Sequence, residues 1–201
     1  KFLQNTNEYF LGDVLASNTT SANFFQNGGH GSTSAIQLRG LPKRYSTVYI
    51  DGVKMSDPSS VSGDYDFNHI LTSQISRVEI LKGNQSSVYG SGAIGGTINI
   101  TTKKGQPGKQ SGVMFNTGSH KTNNYSLSYS GADETQNYYI GFERFQTEGM
   151  SAMTHNDEKD GYKNNSMTAN YGKFLSDKLN LKTNLRVSET NKQYDKEVTS
   201  S

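Results

Sequence analysis

Through the second half of the chain, apolar and polar residues alternate with a period of two. Near the end, Leu179, Leu181, Leu185 and Val187 fall on one side of an extended segment, while Asn180, Lys182, Asn184, Arg186 and Ser188 fall on the other. The same alternation runs through Val113–Phe115, Tyr125–Leu127–Tyr129, Tyr138–Ile140–Phe142 and Met167–Ala169–Tyr171. Five strands are predicted, and the last has about the ten-residue length of a tilted strand crossing a bilayer. The connections from Gly118 to Lys121, Gly131 to Thr135 and Leu175 to Lys178 are short, whereas Thr147 to Lys163 is long. Long connections on one side suit a membrane barrel. A soluble antiparallel sheet with one face on a core has the same period, so periodicity alone leaves both architectures open.

Before about Lys104 the pattern is different: short apolar runs separated by glycine-rich turns. It predicts a short helix from Phe10 to Ala16 and strands at Ala35–Arg39, Thr47–Ile50, Arg77–Leu81 and Gly95–Thr102. Asp51-Gly52 between Val48-Tyr49-Ile50 and Val53 predicts a two-residue hairpin, because both central positions of that turn favour positive φ. The change of pattern at Lys103-Lys104-Gly105-Gln106-Pro107-Gly108 divides the chain into residues 1–104, a small mixed α+β domain with short helices, and residues 105–201, about five antiparallel barrel strands.

Composition narrows the class. A hydrophobic fraction of 31% across 201 residues argues against a helical membrane protein, and no apolar run could span a bilayer as a helix. Twelve tyrosines and nine phenylalanines set against three prolines favour a folded β protein over a disordered chain. The lack of cysteine removes disulfide scaffolds and thiolate metal sites. A net charge of +2 without a long basic run gives no footprint for nucleic acid. The opening Lys1-Phe2-Leu3 has no export signal and predicts a start inside a longer protein.

The most specific run is Ile75-Ser76-Arg77-Val78-Glu79-Ile80-Leu81-Lys82-Gly83, followed by Ser86-Ser87-Val88-Tyr89-Gly90-Ser91-Gly92-Ala93-Ile94-Gly95-Gly96-Thr97-Ile98-Asn99-Ile100. Ile36-Gln37-Leu38-Arg39-Gly40 and Tyr49-Ile50-Asp51-Gly52-Val53 lie upstream in order. Together they closely resemble the plug signature of TonB-dependent outer-membrane receptors. Within that family, Gln26-Asn27-Gly28-Gly29-His30-Gly31 leading to Ser34 and Ile36 is most similar to the cobalamin receptor branch. Asn84, Thr19-Thr20-Ser21 and the basic Pro42-Lys43-Arg44 depart from the family pattern and leave the substrate open.

The resemblance implies a plug followed by the first strands of a 22-stranded plugged barrel in the outer membrane of a Gram-negative bacterium. It implies active import of a scarce chelate or cofactor, cobalamin first and an iron-siderophore or haem as the alternative. TonB, its inner-membrane energy complex and outer-membrane lipid would be the partners. It places ligand contacts at Asn27, Ser32, Thr33 and Ser34 in one plug loop and at Val61, Ser62 and Gly63 in another, where ordinary Ser/Gly turn chemistry is the alternative. It assigns Arg39, Arg77 and Glu79 to a charge lock between plug and barrel, with an ion pair inside the plug as the alternative. It also implies a calcium loop at Glu158 and Asp160, against a solvated acidic loop. No covalent cofactor follows. Five strands cannot close such a barrel, so a truncated product or a ligand-sensing receptor without import is also compatible with the sequence.

Two motifs point elsewhere only superficially. Gly90, Gly92 and Gly95 have dinucleotide-loop spacing, but the strand-like Thr97-Ile98-Asn99-Ile100 follows where that motif needs a helix. No G-x-S-x-G elbow occurs, and His30, His69, His120 and His155 lack metal-ligand spacing, so the reading is not an enzyme. A soluble β-rich adhesin is the remaining alternative.

Overall fold

The structure, a computed structural model, describes residues 8–19, 22–57, 65–90, 92–149 and 160–193. The chain divides into two compact units: Lys1–Asn27 with Thr33–Lys104, and Gly28–Ser32 with Gly105–Ser201.

In the first unit, helix α1 (Leu11–Asn18) buries Leu11, Val14 and Leu15, the i, i+3, i+4 stripe that fits a helix against a core. Strands β1 (Ala22–Gln26) and β2 (Ser34–Leu38) form an antiparallel pair running from Ala22 opposite Leu38 to Gln26 opposite Ser34. A separate mixed sheet has the order β4 (Val53–Met55), β3 (Ser46–Ile50), β6 (Gly96–Thr102), β5 (Ile75–Lys82). Only β3 and β6 run parallel in it. Helix α2 (Ser86–Tyr89) precedes β6. Val48, Ile50, Ile75, Ile98 and Ile100 from this sheet join Leu11, Leu15, Ile36, Leu38, Phe67 and Ile70 in one buried core.

Two tertiary ties fix the unit. At the β3–β4 turn, Asp51 and Gly52 have φ of 51° and 85°, the left-handed pair the hairpin signal predicts. The Asp51 carboxylate accepts the Thr102 N–H at 3.0 Å and also the Thr102 hydroxyl, clamping the turn to the end of β6. At the other tie, an isolated bridge joins Phe10 to Leu71. The Leu11 N–H donates to the Ile70 carbonyl and the Thr72 N–H to the Tyr9 carbonyl, both at 2.9 Å. Thr72 Oγ1 reaches the Glu8 carbonyl at 2.9 Å.

The second unit is an antiparallel meander of β7 (Gly108–Gly118), β8 (Thr122–Ala132), β9 (Gln136–Thr147), β10 (Tyr162–Ser176) and β11 (Leu179–Lys192). Its register aligns Val113, Leu127, Phe142, Met167 and Val187 in one row across all five strands, and Tyr129, Ile140, Ala169 and Leu185 in the next. These apolar positions face outward: Val113 is 81% exposed, Leu127 52%, Phe142 44% and Val187 54%. On the opposite face Asn124, Glu143, Asn164, Ser166, Thr168 and Asn170 are buried. The polarity is inverted relative to a soluble sheet, whose apolar face would pack on a core. That polarity fits a sheet with lipid on one side.

Its turns carry local hydrogen bonds. The Asp133 carboxylate accepts the N–H and hydroxyl of Thr135, both at 2.8 Å, and the N–H and side-chain amide of Gln136, both at 3.0 Å. These bonds, led by the Thr135 N–H, hold its pKa down at about 2. At the opposite end of the sheet, the Thr122 N–H closes on the Ser119 carbonyl at 3.0 Å around His120 and Lys121, and Lys121 pairs with Glu148 at 2.6 Å. Strand β1 and helix α2 are elements the sequence pattern did not predict. No helix among the described residues is long and apolar enough to cross a membrane.

Candidate functional site

Within the second unit, the segment Gly28–Ser32 gathers with the β9, β10 and β11 residues nearest the 148–161 connection. The His30 ring meets Phe145 edge-on, with centroids 5.5 Å apart at 76°. Burial holds the His30 imidazole below its ordinary pKa, so it is neutral at pH 7. Gly31, at φ +79°, lies so close to Tyr162 that a Cβ would stand 2.4 Å from its ring. Lys192 Nζ donates to the buried Ser32 hydroxyl.

The polar face of the strands continues this surface. Asn164 Nδ2 donates to the Tyr162 hydroxyl at 3.0 Å, the Ser188 hydroxyl to Asn164 Oδ1 at 3.5 Å, and Asn124 Nδ2 to Glu143 Oε1 at 2.9 Å. Rigid strands thus carry amides, hydroxyls, a carboxylate and an ammonium on one wall. Those groups are hydrogen-bonded to one another, with Tyr162, Asn164, Asn124 and Glu143 buried.

The structure distributes the residues expected from sequence as follows. Ser32 belongs to this cluster. Asn27 and Thr33 are exposed, and the Asn27 N–H donates to the Thr33 carbonyl at 3.1 Å. Ser34 is buried, and its hydroxyl donates to Asp66 Oδ1 at 2.7 Å while accepting the Phe67 N–H at 3.2 Å. Val61, Ser62, Gly63 and Glu158 lie outside the described residues. Asp160 is half-buried, and its carbonyl would stand 2.2 Å from a Cβ placed on Gly149. Among the described residues, no three His, Asp or Glu side chains gather where a metal ion could sit. Arg77 and Glu79 pair with each other along β5, with side chains 67% and 41% exposed. Arg39 is exposed just past β2, at φ 57°.

Sequence reasoning missed Lys192, Tyr162, Phe145 and the contact role of His30. No local signal marks them, because Lys192 lies 160 positions from Ser32 and only the register of β10 and β11 brings them together. At the glycine-rich run, the strand β6 follows Gly95 directly, and a Cβ on Gly95 would stand 3.0 Å from the Tyr45 carbonyl. Gly95 thus serves close backbone approach and Gly90 a positive φ of 88°, with no helix after them to hold a phosphate.

Residues 1–97 match the family described as the TonB-dependent Receptor Plug Domain. Among solved structures, the siderophore receptor PirA of Acinetobacter baumannii is similar with a TM-score of 0.75 and 20% identity over 96% of this chain. The ferric enterobactin receptor PfeA of Pseudomonas aeruginosa gives 0.71 and 19% over 92%, and the ferric yersiniabactin uptake receptor FyuA of Yersinia pestis gives 0.68 and 20% over 94%. This chain spans 31%, 31% and 30% of the lengths of those three. At these identities the likeness is one of fold. The matched residues, 1–97, take in every element of the first unit up to the start of β6. The chain as a whole has the fold of such a plug followed by barrel strands.

Proposed function

We propose that this chain serves an outer-membrane, TonB-dependent receptor that takes up a metal chelate, with an iron-siderophore as the ligand class. The observation that carries the reading is the inverted sheet, apolar on one face and polar on the other, in a chain whose residues 1–97 match the plug-domain family. The outward rows from Leu179 to Val187 cover roughly 27 Å of strand at about 3.4 Å per residue, enough to span an apolar membrane band once the strand is tilted. The siderophore class is supported by the ligands of the three similar receptors, and by an ammonium group, Lys192, on the polar face of the strands. Cobalamin, favoured by the resemblance of the run from Gln26 to Gly31, is the competing ligand, and a calcium-ordered loop that includes Glu158 and Asp160 would accompany it. In this reading TonB and its inner-membrane complex supply the energy. Arg39 stays a candidate for a plug-to-barrel charge contact, since Arg77 and Glu79 engage each other.

The test is calorimetric titration of the purified full-length receptor with ferric catecholate and ferric phenolate siderophores and with cobalamin, each with and without calcium. A ferric siderophore that binds tightly, and more weakly after Lys192→Ala, supports the proposal. Tight binding of cobalamin alone, lost on calcium removal, replaces the ligand class. Binding without TonB-dependent uptake in cells turns the receptor into a sensor.

A further inference from the structure

The outward face of the five-stranded sheet carries a charged feature that ligand uptake does not use. From the central apolar row toward the 148–161 connection, the next row reads Phe115, Tyr125, Arg144, Asn165 and Glu189. The row beyond it reads Thr117, Asn123, Gln146, Lys163 and Asn191. Arg144 and Lys163 are both exposed. They stand on neighbouring strands two residues apart in register, a diagonal that places their Cβ atoms about 7–8 Å from each other. Both side chains are long and flexible enough to converge on one tetrahedral anion between them. Neither forms an ion pair among the described residues, and Arg144 Nη2 reaches only the neutral Gln146 Oε1, at 3.4 Å. Glu189, the single acid in the two rows, is likewise without an ion pair.

We propose that Arg144 and Lys163 form a docking site for the phosphate of a lipid headgroup in the outer leaflet, with Tyr125 beside it at the membrane interface. The inference rests on reading the outward face as lipid-facing. The long 148–161 connection sits at this end of the strands, and in membrane barrels the longer connections face outside. Guanidinium binds phosphate through two parallel hydrogen bonds, and lysine adds a point charge. Depth selects a lipid over a free anion. A phosphate held between Arg144 and Lys163 lies one to two rows above Leu127, Phe142 and Met167, so acyl chains attached to it run directly down the apolar face. An exposed tyrosine at that level, Tyr125, has the amphipathic character that settles at headgroups.

Native mass spectrometry of the detergent-purified full-length receptor, with diphosphoryl lipid A as the probe, tests this. Dephosphorylated lipid A and inorganic phosphate are run in parallel, and membrane insertion is read on the same samples from heat-dependent gel mobility. We expect the receptor to retain diphosphoryl lipid A, and the double variant Arg144→Gln/Lys163→Gln to retain it about tenfold less. The control Lys109→Gln/Lys173→Gln, at the opposite rim, should be unchanged. An inserted receptor that holds phosphorylated and dephosphorylated lipid equally, or a double variant that matches the wild type, overturns the phosphate site and leaves the lipid-facing reading intact. Binding of inorganic phosphate without lipid retention overturns the lipid source. A wild-type receptor that does not insert overturns both.

Discussion

Asp13 lies in the first turn of α1, and burial, with the Glu8 charge adding to it, pushes its carboxyl up to about 6. A carboxyl raised in the folded state binds its proton more tightly there than in the unfolded chain. Its contribution is therefore fully present below pH 3.8 and is lost as pH rises through about 6. Asp13→Asn should abolish this loss and raise stability at pH 7 relative to pH 4, which urea unfolding of the two proteins at both pH values measures. Asp133 has the opposite sign. Its folded pKa of about 2 lies below the ordinary 3.8, so its contribution is present above that ordinary value and is lost as pH falls through about 2. Asp133→Ala should weaken the β8–β9 turn and flatten the acid limb of the unfolding profile. Gly31→Ala would meet both a left-handed backbone and the Tyr162 ring, and should cost roughly 1–3 kcal/mol. A companion Tyr162→Ala should recover part of that loss in thermal unfolding. At this scale legibility divided by distance. The Asp51-Gly52 turn could be read from two letters because its constraint is local. Nothing near Ser34 in sequence announces Asp66, which accepts its hydroxyl hydrogen bond from 32 positions away.

At the scale of elements, the outward rows make a sharp demand. Arginine in place of Leu127, in the middle of the apolar belt, should cost ~2–4 kcal/mol of membrane stability, while Ser188→Asp on the polar side of β11 should be tolerated. Urea-dependent folding into lipid vesicles, followed by gel mobility, separates the two. Strands β8, β9 and β10 were readable because each repeats an apolar residue every second position for five residues, and β11 because Leu179, Leu181, Leu185 and Val187 share one side; β7 offered only Val113 and Phe115, and register follows where the turns are short. Strand β1 was not. Its five residues, Ala22-Asn23-Phe24-Phe25-Gln26, place two aromatics side by side, with Phe25 50% exposed, and so break the alternation that marks a strand. Helix α2 spans only four residues, too few for any period to show.

For the whole molecule, the sequence showed two kinds of pattern, and the structure shows two compact units, with one crossing that no pattern could reveal. Residues 28–32, embedded in the first half of the sequence, group with the second unit. The bridge between Phe10 and Leu71 has a mechanical meaning. Tension applied to the chain ahead of Tyr9 loads the two backbone bonds to residues 70–72 first, before the eight-residue strand β5 and its antiparallel ladder with β6 feel it. A joint of two bonds in series with a long ladder acts as a fuse. Stretched from its amino-terminal side by an optical trap, the first unit should release a short length at low force, with the mixed sheet still intact, and Thr72→Val, which removes the hydroxyl tie to Glu8, should lower that force further.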